Sequence, residues 1–192
     1  MSATKRVIVF AGKKGSGKTT AADIVSRGSS RRVLRLHFAS LYKEIARAAG
    51  FSDAELYGSE KEKNNSLVGI SAREFLCLLG DFFRYTLPEK TARRWLGGSP
   101  AALTTHILLR RIEESDADLI IIDDLRYLDE YEALEGLGLC EFYFIERPTL
   151  AVAAAPPHRS ETDMHTFATK ARWIINAGPL PAFAEKITQT IA

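Results

Sequence analysis

The sequence predicts an α/β protein in which helices cover both faces of a parallel sheet. Apolar, β-branched runs alternate with helical segments along the 192 residues, a pattern typical of parallel strands joined by crossover helices. The runs are apolar without interruption, as expected of strands that are buried on both faces. A glycine-rich turn follows the first run and leads into a helix. A chain of this length can bury a core of its own, so we expect a single domain.

Five apolar runs are predicted to be strands. The first is RVIVFA at 6–11, and the clearest buried run is DLIIID at 118–123. β-Branched and aromatic residues dominate these runs, which favours strand over helix. In chain order, the predicted strands are 6–11, 33–38, 118–123, 139–146 and 172–177.

Helices are predicted between the strands, and glycines mark several of their ends. Such glycines are Gly28, Gly50 and Gly138. Residues 51–98 are polar and predicted to be helical, with glycines between the helical segments. Residues 151–160 are rich in alanine and proline and are predicted to be a loop. The predicted helices cover 19–28, 41–50, 101–115, 129–138 and 181–192.

The glycine-rich turn carries the strongest motif of the chain. Gly12–Thr19, GKKGSGKT, fits G-x-x-x-x-G-K-[ST] at every fixed position. A chain of this length meets that pattern by chance roughly once in 150, with glycine at about 7% of residues. The motif also follows a predicted strand and opens a predicted helix, where its mechanism requires it. It therefore predicts a phosphate-binding loop.

The chemistry of such a loop is the binding of a triphosphate with Mg²⁺. Glycines let backbone N–H groups turn inward around the β-phosphate, and the helix N-terminus adds partial positive charge. We expect Lys18 to bridge the β- and γ-phosphates of ATP and the Thr19 hydroxyl to ligate Mg²⁺. The predicted ATP-binding residues of this segment are Gly12, Lys14, Gly15, Ser16, Gly17, Lys18, Thr19 and Thr20.

The third predicted strand ends in acidic residues followed by an arginine. Asp123 and Asp124 come at the carboxyl end of a buried parallel strand, which places them at the same edge of the sheet as the phosphate loop. We expect Asp123 to hold the Mg²⁺ water shell and Asp124 to orient that shell or the acceptor. Arg126 can offer a planar fork to a phosphate. A polar loop after a buried strand would account for the same residues without a ligand.

The composition and the lack of certain motifs narrow the class of nucleotide-binding protein. A guanine-reading N-K-x-D motif is missing, and a motor domain usually needs more chain. The net charge of +2 does not require a polyanionic partner, and no apolar run approaches the ~20 residues that span a bilayer. We expect a cytoplasmic small kinase with a nucleotide core (1–50 and 99–192), a helical acceptor-binding insertion (51–98) and a short lid (147–160).

Further stretches match short motifs and together resemble the phage deoxynucleoside monophosphate kinase family. They extend over nearly the whole chain and are less specific than the loop motif. Phe38–Glu44 is similar to F-A-x-P-L-K-E without its proline, and Gly69–Leu76 is similar to G-x-S-P-R-E-L-L. The other matches are Leu56–Gly58 and Lys61–Glu62 to Y-G…K-E, Leu79–Gly80 to L-G, Asp124–Glu130 to D-x-R-x-x-x-E, Arg147–Pro148 with His158–Glu161 to R-P…H-x-S-E, and Trp173–Gly178 to I-x-N-x-G.

The resemblance implies roles for residues outside the loop. Lys43, Arg84 and Arg126 would contact acceptor phosphates, although Arg84 lies one place earlier than the family's arginine. Arg147 would be a lid arginine that stabilises the transition state. Two residues would line the adenine, and His158 is either a functional lid residue or a turn residue. The adenine-lining residues are Asn176 and Gly178.

Two acceptors fit these residues. A free deoxynucleoside monophosphate is the family default, and its charged acceptor oxygen needs no general base. The rival is the hydroxymethyl group of 5-hydroxymethyl-deoxyuridine in phage DNA, an alcohol for which Asp124 or Asp81 could accept the proton. In that case Phe82, Phe83 and Tyr85 would stack on a flipped base, or else they pack in the core. The predicted DNA-backbone contacts are Arg84, Lys90, Arg93 and Arg94.

Two functions of different classes also fit the loop motif. One is a kinase of another small molecule, and the second is a non-catalytic nucleotide-binding protein. The sequence leaves the oligomeric state open, so an oligomer is possible, and it implies no membrane partner.

Overall fold

A computed structural model describes residues 5–86, 103–149 and 159–191, and in the last range the side chains from residue 163 onward. It contains five strands: β1 Arg6–Ala11, β2 Val33–Leu36, β3 Leu119–Leu125, β4 Cys140–Glu146 and β5 Arg172–Ile175. Its α-helices are α1 Lys18–Gly28, α2 Ser40–Ala48, α3 Asp53–Tyr57, α4 Ala72–Asp81, α5 Leu103–Glu114, α6 Leu128–Glu135, α7 Arg159–Ala168 and α8 Leu180–Ile191. A π-helical turn, Phe82–Thr86, follows α4 directly.

The five strands form one sheet in the order β2-β3-β1-β4-β5, and all four pairings are parallel. The predicted parallel α/β class is therefore confirmed. Strand β1 lies in the middle, and the chain leaves it first toward β2 on one side and later enters β4 on the other. The carboxyl end of β1 is thus a topological switch point, which is where open α/β sheets bind ligands.

Helices cover both faces of the sheet. On one face, α1 and α8 pack on alternate strand residues in a cluster that includes Ile8, Tyr143 and Phe183. On the other face, Tyr131 of α6 stacks on Phe167 of α7, with ring centroids 5.0 Å apart. Its ring also contacts that of Phe142 of β4 in a tilted arrangement, with centroids 4.5 Å apart. Every side chain from Val7 to Phe10 has no solvent exposure. This burial explains why the strand reads as an uninterrupted apolar run.

Some predicted boundaries were wrong. Strand β2 ends at Leu36 rather than at residue 38, and β3 continues to Leu125 rather than ending at 123. Helix α7, Arg159–Ala168, begins inside the segment predicted to be a loop. Its apolar residues Met164 and Phe167 are buried, so packing stabilises a helix whose sequence pattern is weak.

The chain divides into two compact units. Unit 1 comprises 1–37 and 109–192 and contains the whole sheet, whereas unit 2 is the continuous segment 38–108. The predicted boundaries of the insertion, 51 and 98, stay predictions. Among the described residues, no helix is both long and apolar enough to span a membrane.

Unit 2 has a small core of its own around Phe51, Leu56 and Ala72. Polar contacts organise the chain around that core. Ser52 and Glu55 form a capping box at the start of α3, in which each side chain bonds the other residue's backbone N–H. The Asn65 amide donates to the Glu55 carboxylate at 2.9 Å and accepts from the backbone N–H of Leu67 at 2.8 Å.

Candidate functional site: a phosphate-binding loop at the carboxyl edge of the sheet

The loop between β1 and α1 depends on glycine at two places. Gly12 has φ +141° and Gly17 has φ +108°, a region that other residues rarely adopt. A Cβ on Gly12 would lie 2.3 Å from the Ile145 carbonyl oxygen, and one on Gly17 would lie 2.7 Å from Nδ2 of Asn176. Both glycines are therefore required by space as well as by backbone angle. This close packing fixes the path of the loop.

Helix α1 starts at Lys18 with its first amides uncapped by any side chain, since the preceding residue is Gly17. The first N–H groups of a helix have no partner within the helix, and they carry the positive end of its dipole. An anion at this position would satisfy them. The loop therefore fits the phosphate tail of a nucleotide.

The Lys18 side chain is buried within the loop itself. Its ammonium group donates to the carbonyl oxygens of Gly12 at 2.6 Å and Lys13 at 2.9 Å. A buried ammonium needs such partners to offset the loss of water. These bonds hold the positive charge beside the uncapped amides, where it would face the phosphates. The predicted role of Lys18 stays a prediction, and the geometry suits it.

Ser16 contributes a second polar group to the loop. Its hydroxyl is completely buried and has no hydrogen-bond partner. An unpaired buried hydroxyl costs about 1–3 kcal/mol. A bound phosphate oxygen is a partner of the right kind, because a phosphate is rich in acceptors. Ser16 therefore fits the same ligand as Lys18.

Asp123 lies next to the loop at the end of β3 and is 4% exposed. Its side chain bonds that of Thr19, so the two predicted metal-site residues are adjacent. Arg35 donates to Asp123 Oδ2 at 2.9 Å, and the Nδ1 of His37 lies 2.7 Å from Oδ1. The guanidinium group of Arg35 also pairs with Asp23 of α1.

These partners control the charge of Asp123. Burial raises the pKa of its carboxyl group, but the hydrogen bond from His37, the charges of His37 and Arg35 and the bond from Thr19 outweigh it, so the pKa is lowered. The carboxylate is therefore kept ionised. An ionised carboxylate beside a hydroxyl is a suitable pair for Mg²⁺.

The described residues contain no group of three or more histidine, cysteine or acidic side chains that could hold a metal alone. Mg²⁺ usually combines one or two protein oxygens with phosphate oxygens and water. Thr19 and Asp123 fit that mode, in which the nucleotide completes the coordination. The site thus suits a metal that enters with its nucleotide.

A cleft of about 360 Å³ opens above the loop. It gathers most of the predicted donor-side residues, including Arg147, which comes directly after β4, and two residues that the sequence did not indicate, Leu180 and Phe183 of α8. Leu180 is 62% exposed and offers an apolar surface to a flat ligand. The other lining residues are Gly15, Gly17, Lys18, Thr19, Thr20, Asn176 and Gly178.

Asp124 lies near the end of β3 and Arg126 directly follows the strand, and both are partly buried. The buried Glu130 carboxylate accepts hydrogen bonds from the backbone N–H groups of Arg126 at 3.1 Å and Tyr127 at 3.2 Å. Glu130 thereby caps the start of α6 and fixes the turn. Glu130, the last residue of the D-x-R-x-x-x-E stretch, therefore has a structural role.

The predicted acceptor residues Lys43, Asp81 and Arg84 all belong to unit 2. Lys43 on α2 places its ammonium 4.1 Å from the centroid of the Tyr57 ring. Asp81 is the exposed last residue of α4, and Arg84 is half-buried in the π-helical turn. Their predicted contacts with an acceptor stay predictions.

Several predicted residues lie outside the described part of the chain. They are His158, Lys90, Arg93 and Arg94, together with most of the lid at 147–160.

The sequence did not indicate Arg35 and His37, the two basic partners of Asp123. Arg35 lies in β2 and His37 directly follows the strand, two positions further on. Strand β2 pairs with β3 so that Leu36 lies opposite Ile122, which puts His37 beside Asp123. The period-2 placement of two basic residues in VLRLHF was a usable signal, but only once the β2–β3 pairing was known.

Comparison with solved structures identifies the fold. A Thermus thermophilus protein described as TT1252 is 16% identical, with a TM-score of 0.51 over 98% of this chain and 96% of that one. Together with the strand order and the loop, this likeness defines a P-loop nucleoside triphosphatase fold with a parallel sheet between helices.

Proteins described as kinases are also among the matches. The dephospho-CoA kinase of Campylobacter jejuni is 16% identical over 98% of this chain and 96% of that one, with a TM-score of 0.47. The thymidylate kinase of Ehrlichia chaffeensis is 12% identical over 98% of this chain and all of that one, with a TM-score of 0.44. No protein-family model matches the sequence, and a search of curated proteins finds no significant match.

Proposed function

We propose that this protein is an ATP-dependent phosphotransferase that moves the γ-phosphate of ATP to a deoxynucleotide. The observation that carries the proposal is the phosphate-binding loop, in which a buried lysine, uncapped helix amides and an unpaired hydroxyl converge next to an ionised Asp123. Phosphoryl transfer needs positioning and charge stabilisation more than covalent chemistry by the protein. These groups supply both.

Each group of residues has its own task. The loop amides and Lys18 hold the donor phosphates and offset the charge that develops on the transferred group. Thr19 and Asp123 would hold Mg²⁺, which would supply positive charge to neutralise the phosphates and polarise the transferred group. Arg147 lies at the cleft, where a guanidinium group can pair with phosphate oxygens. Gly178 and Leu180 also line the cleft, and Leu180 offers an apolar surface for the base.

A deoxynucleoside monophosphate is the acceptor we favour. Its phosphate oxygen is already charged, so transfer needs cationic groups rather than a general base. Lys43, Arg84 and Arg126 are the lysine and arginine residues assigned to that phosphate, on the basis of the resemblance to phage kinases.

A second acceptor is supported by the surface of unit 2. Phe82 is 45% exposed and Tyr85 is 39% exposed, so neither ring is packed away in a core. Exposed aromatic side chains can stack on bases that have left a duplex. Phe83 differs from them, because it is half-buried and packs against Tyr42 with ring centroids 5.6 Å apart. The hydroxymethyl group of 5-hydroxymethyl-deoxyuridine in DNA is the acceptor for which these rings are suited.

One assay separates the two acceptors. The protein is incubated with γ-labelled ATP and Mg²⁺ and, in parallel, with each of the four deoxynucleoside monophosphates or with duplex DNA containing 5-hydroxymethyluracil. We expect label to appear in a deoxynucleoside diphosphate. Label in the DNA alone would replace the first acceptor with the second. Phosphorylation of neither, with ATP still bound, would contradict both.

A further inference from the structure

Asn176 connects the end of the sheet to the phosphate-binding loop. It follows β5 directly, and its backbone N–H donates to the Glu146 carbonyl at 2.7 Å, which continues the pairing of β5 with β4. Its side-chain Nδ2 donates to the carbonyl oxygen of Ser16 at 2.8 Å. Because a carbonyl oxygen can only accept, this contact requires the amide N–H₂ and not the amide oxygen. The side chain is therefore engaged with the loop backbone.

The bond acts on one particular peptide unit. The Ser16 carbonyl and the Gly17 N–H belong to the same planar trans peptide, in which the two groups point in opposite directions. Holding the carbonyl toward Asn176 directs the Gly17 N–H away from Asn176. Gly17 lines the cleft and immediately precedes the first uncapped amide of α1.

The close approach of the two residues restricts that peptide further. A Cβ on Gly17 would lie only 2.7 Å from Nδ2 of Asn176, so the amide group packs directly on the glycine. Gly17 has φ +108°, and glycine is the residue with the most freedom to leave such a conformation. An external hydrogen bond is an effective means of holding it there.

We propose that Asn176 is a positioning residue of the phosphate-binding loop: it holds the peptide between Ser16 and Gly17 in the orientation that presents the Gly17 N–H to the donor phosphates. This inference rests on the proposed function and changes one part of it. The resemblance to phage kinases assigned Asn176 to the adenine. The geometry instead assigns its side chain to the phosphates and leaves the base to Gly178 and Leu180.

The two roles are distinguished by dividing ATP into its parts. The probes are ATP, inorganic tripolyphosphate and adenosine, each with Mg²⁺, and their affinities are measured for the wild type and for Asn176→Ala. We expect Asn176→Ala to weaken tripolyphosphate and ATP by about tenfold each, as for the loss of one hydrogen bond. Adenosine affinity should stay within twofold of the wild type.

Two further variants complete the test. Asn176→Asp should lose at least as much tripolyphosphate affinity as Asn176→Ala, because a carboxylate cannot donate to the Ser16 carbonyl. It also tests the inference if the alanine variant fails to fold. Asn64→Ala makes the same chemical change at an exposed position of unit 2 and should bind all three probes as the wild type does.

Different binding results would contradict the role of Asn176 and the phosphotransferase function. Weaker adenosine binding with unchanged tripolyphosphate binding would show that Asn176 reads the base and would overturn the inference. Unchanged binding of all three probes by the Asn176 variants would also overturn it, while leaving the phosphotransferase intact. A wild-type protein that binds neither ATP nor tripolyphosphate would overturn both.

Discussion

The two units of this protein use their motif residues in different ways. In unit 1 three fixed residues of the loop motif, Gly17, Lys18 and Thr19, line the cleft. In unit 2 the residues that resemble family motifs mostly bond one another. Arg73 pairs with Glu62, and the Ser71 hydroxyl caps α4 by accepting from the Glu74 N–H at 3.2 Å.

This difference shows that the residues of a motif can serve either to stabilise the fold or to bind a ligand. The loop of unit 1 contains an unpaired buried hydroxyl and uncapped helix amides, for which a ligand would supply the partners. In unit 2, the Arg73–Glu62 pair, the Ser71 cap and the bonds of Asn65 satisfy their polar groups without a ligand. We therefore expect changes in the loop of unit 1 to alter ATP binding and catalysis, and changes at the paired polar residues of unit 2, such as Asn65, to alter stability.

The largest effect is expected at Lys18. Replacing it with alanine removes the charge held at the loop, so kcat should fall by at least ~10²-fold while the thermal midpoint changes little. Lys63→Ala, an equivalent change at an exposed lysine of unit 2, should leave kcat unchanged. A Lys18→Ala variant with near-normal turnover would contradict the catalytic role of the loop in unit 1.

The next effect is expected at Asn65 in unit 2, which is 8% exposed and bonds Glu55, Leu67 and Val68. Asn65→Ala leaves the buried Glu55 carboxylate and two partly buried N–H groups without this partner, and should lower the free energy of unfolding by about 2 kcal/mol. Denaturant titration measures the loss, and ATP affinity should stay within twofold. Asn64→Ala is the matched control, with an expected change below about 0.5 kcal/mol. A large loss of ATP affinity in Asn65→Ala would contradict the division of roles.

The smallest effects are expected for alanine substitutions at one glycine of each unit, which allow a direct comparison of the two units. Gly17 and Gly69 both have positive φ, +108° and +82°, but only a Cβ on Gly17 meets another residue. Alanine at either position should cost about 1 kcal/mol of stability through backbone strain. Only Gly17→Ala should also reduce ATP affinity, by about tenfold, because it displaces the Asn176 amide. Equal loss of affinity in both variants would show that strain alone is responsible.

The features that the sequence predicted correctly are those that depend on residues close together in the chain. The loop motif is contiguous, so its position between β1 and α1 followed from the pattern. The apolar run of β3 indicated a buried strand, and the acidic residues at its end placed Asp123 near the loop. These predictions succeeded because parallel strands bring their carboxyl ends to one edge.

The sequence did not predict what depends on distant residues. Leu180 and Phe183 reach the cleft because α8 packs beside α1, a contact that no local pattern encodes. The bond between Asn176 and Ser16 joins residues far apart in the chain. Helix α7 depends on packing of Met164 and Phe167 in unit 1. Such features follow from strand order and packing, which periodicity does not determine.

The division of the chain has a consequence for how the protein acquires its fold. Unit 2 draws on one continuous segment, 38–108, whereas unit 1 joins two segments, 1–37 and 109–192. Ile8 and Ile191 belong to the same core cluster, so unit 1 is completed by contacts of long sequence separation, which form slowly because loop closure costs entropy. The phosphate loop is therefore made early in the chain but acquires its final supports only when the distant segment arrives.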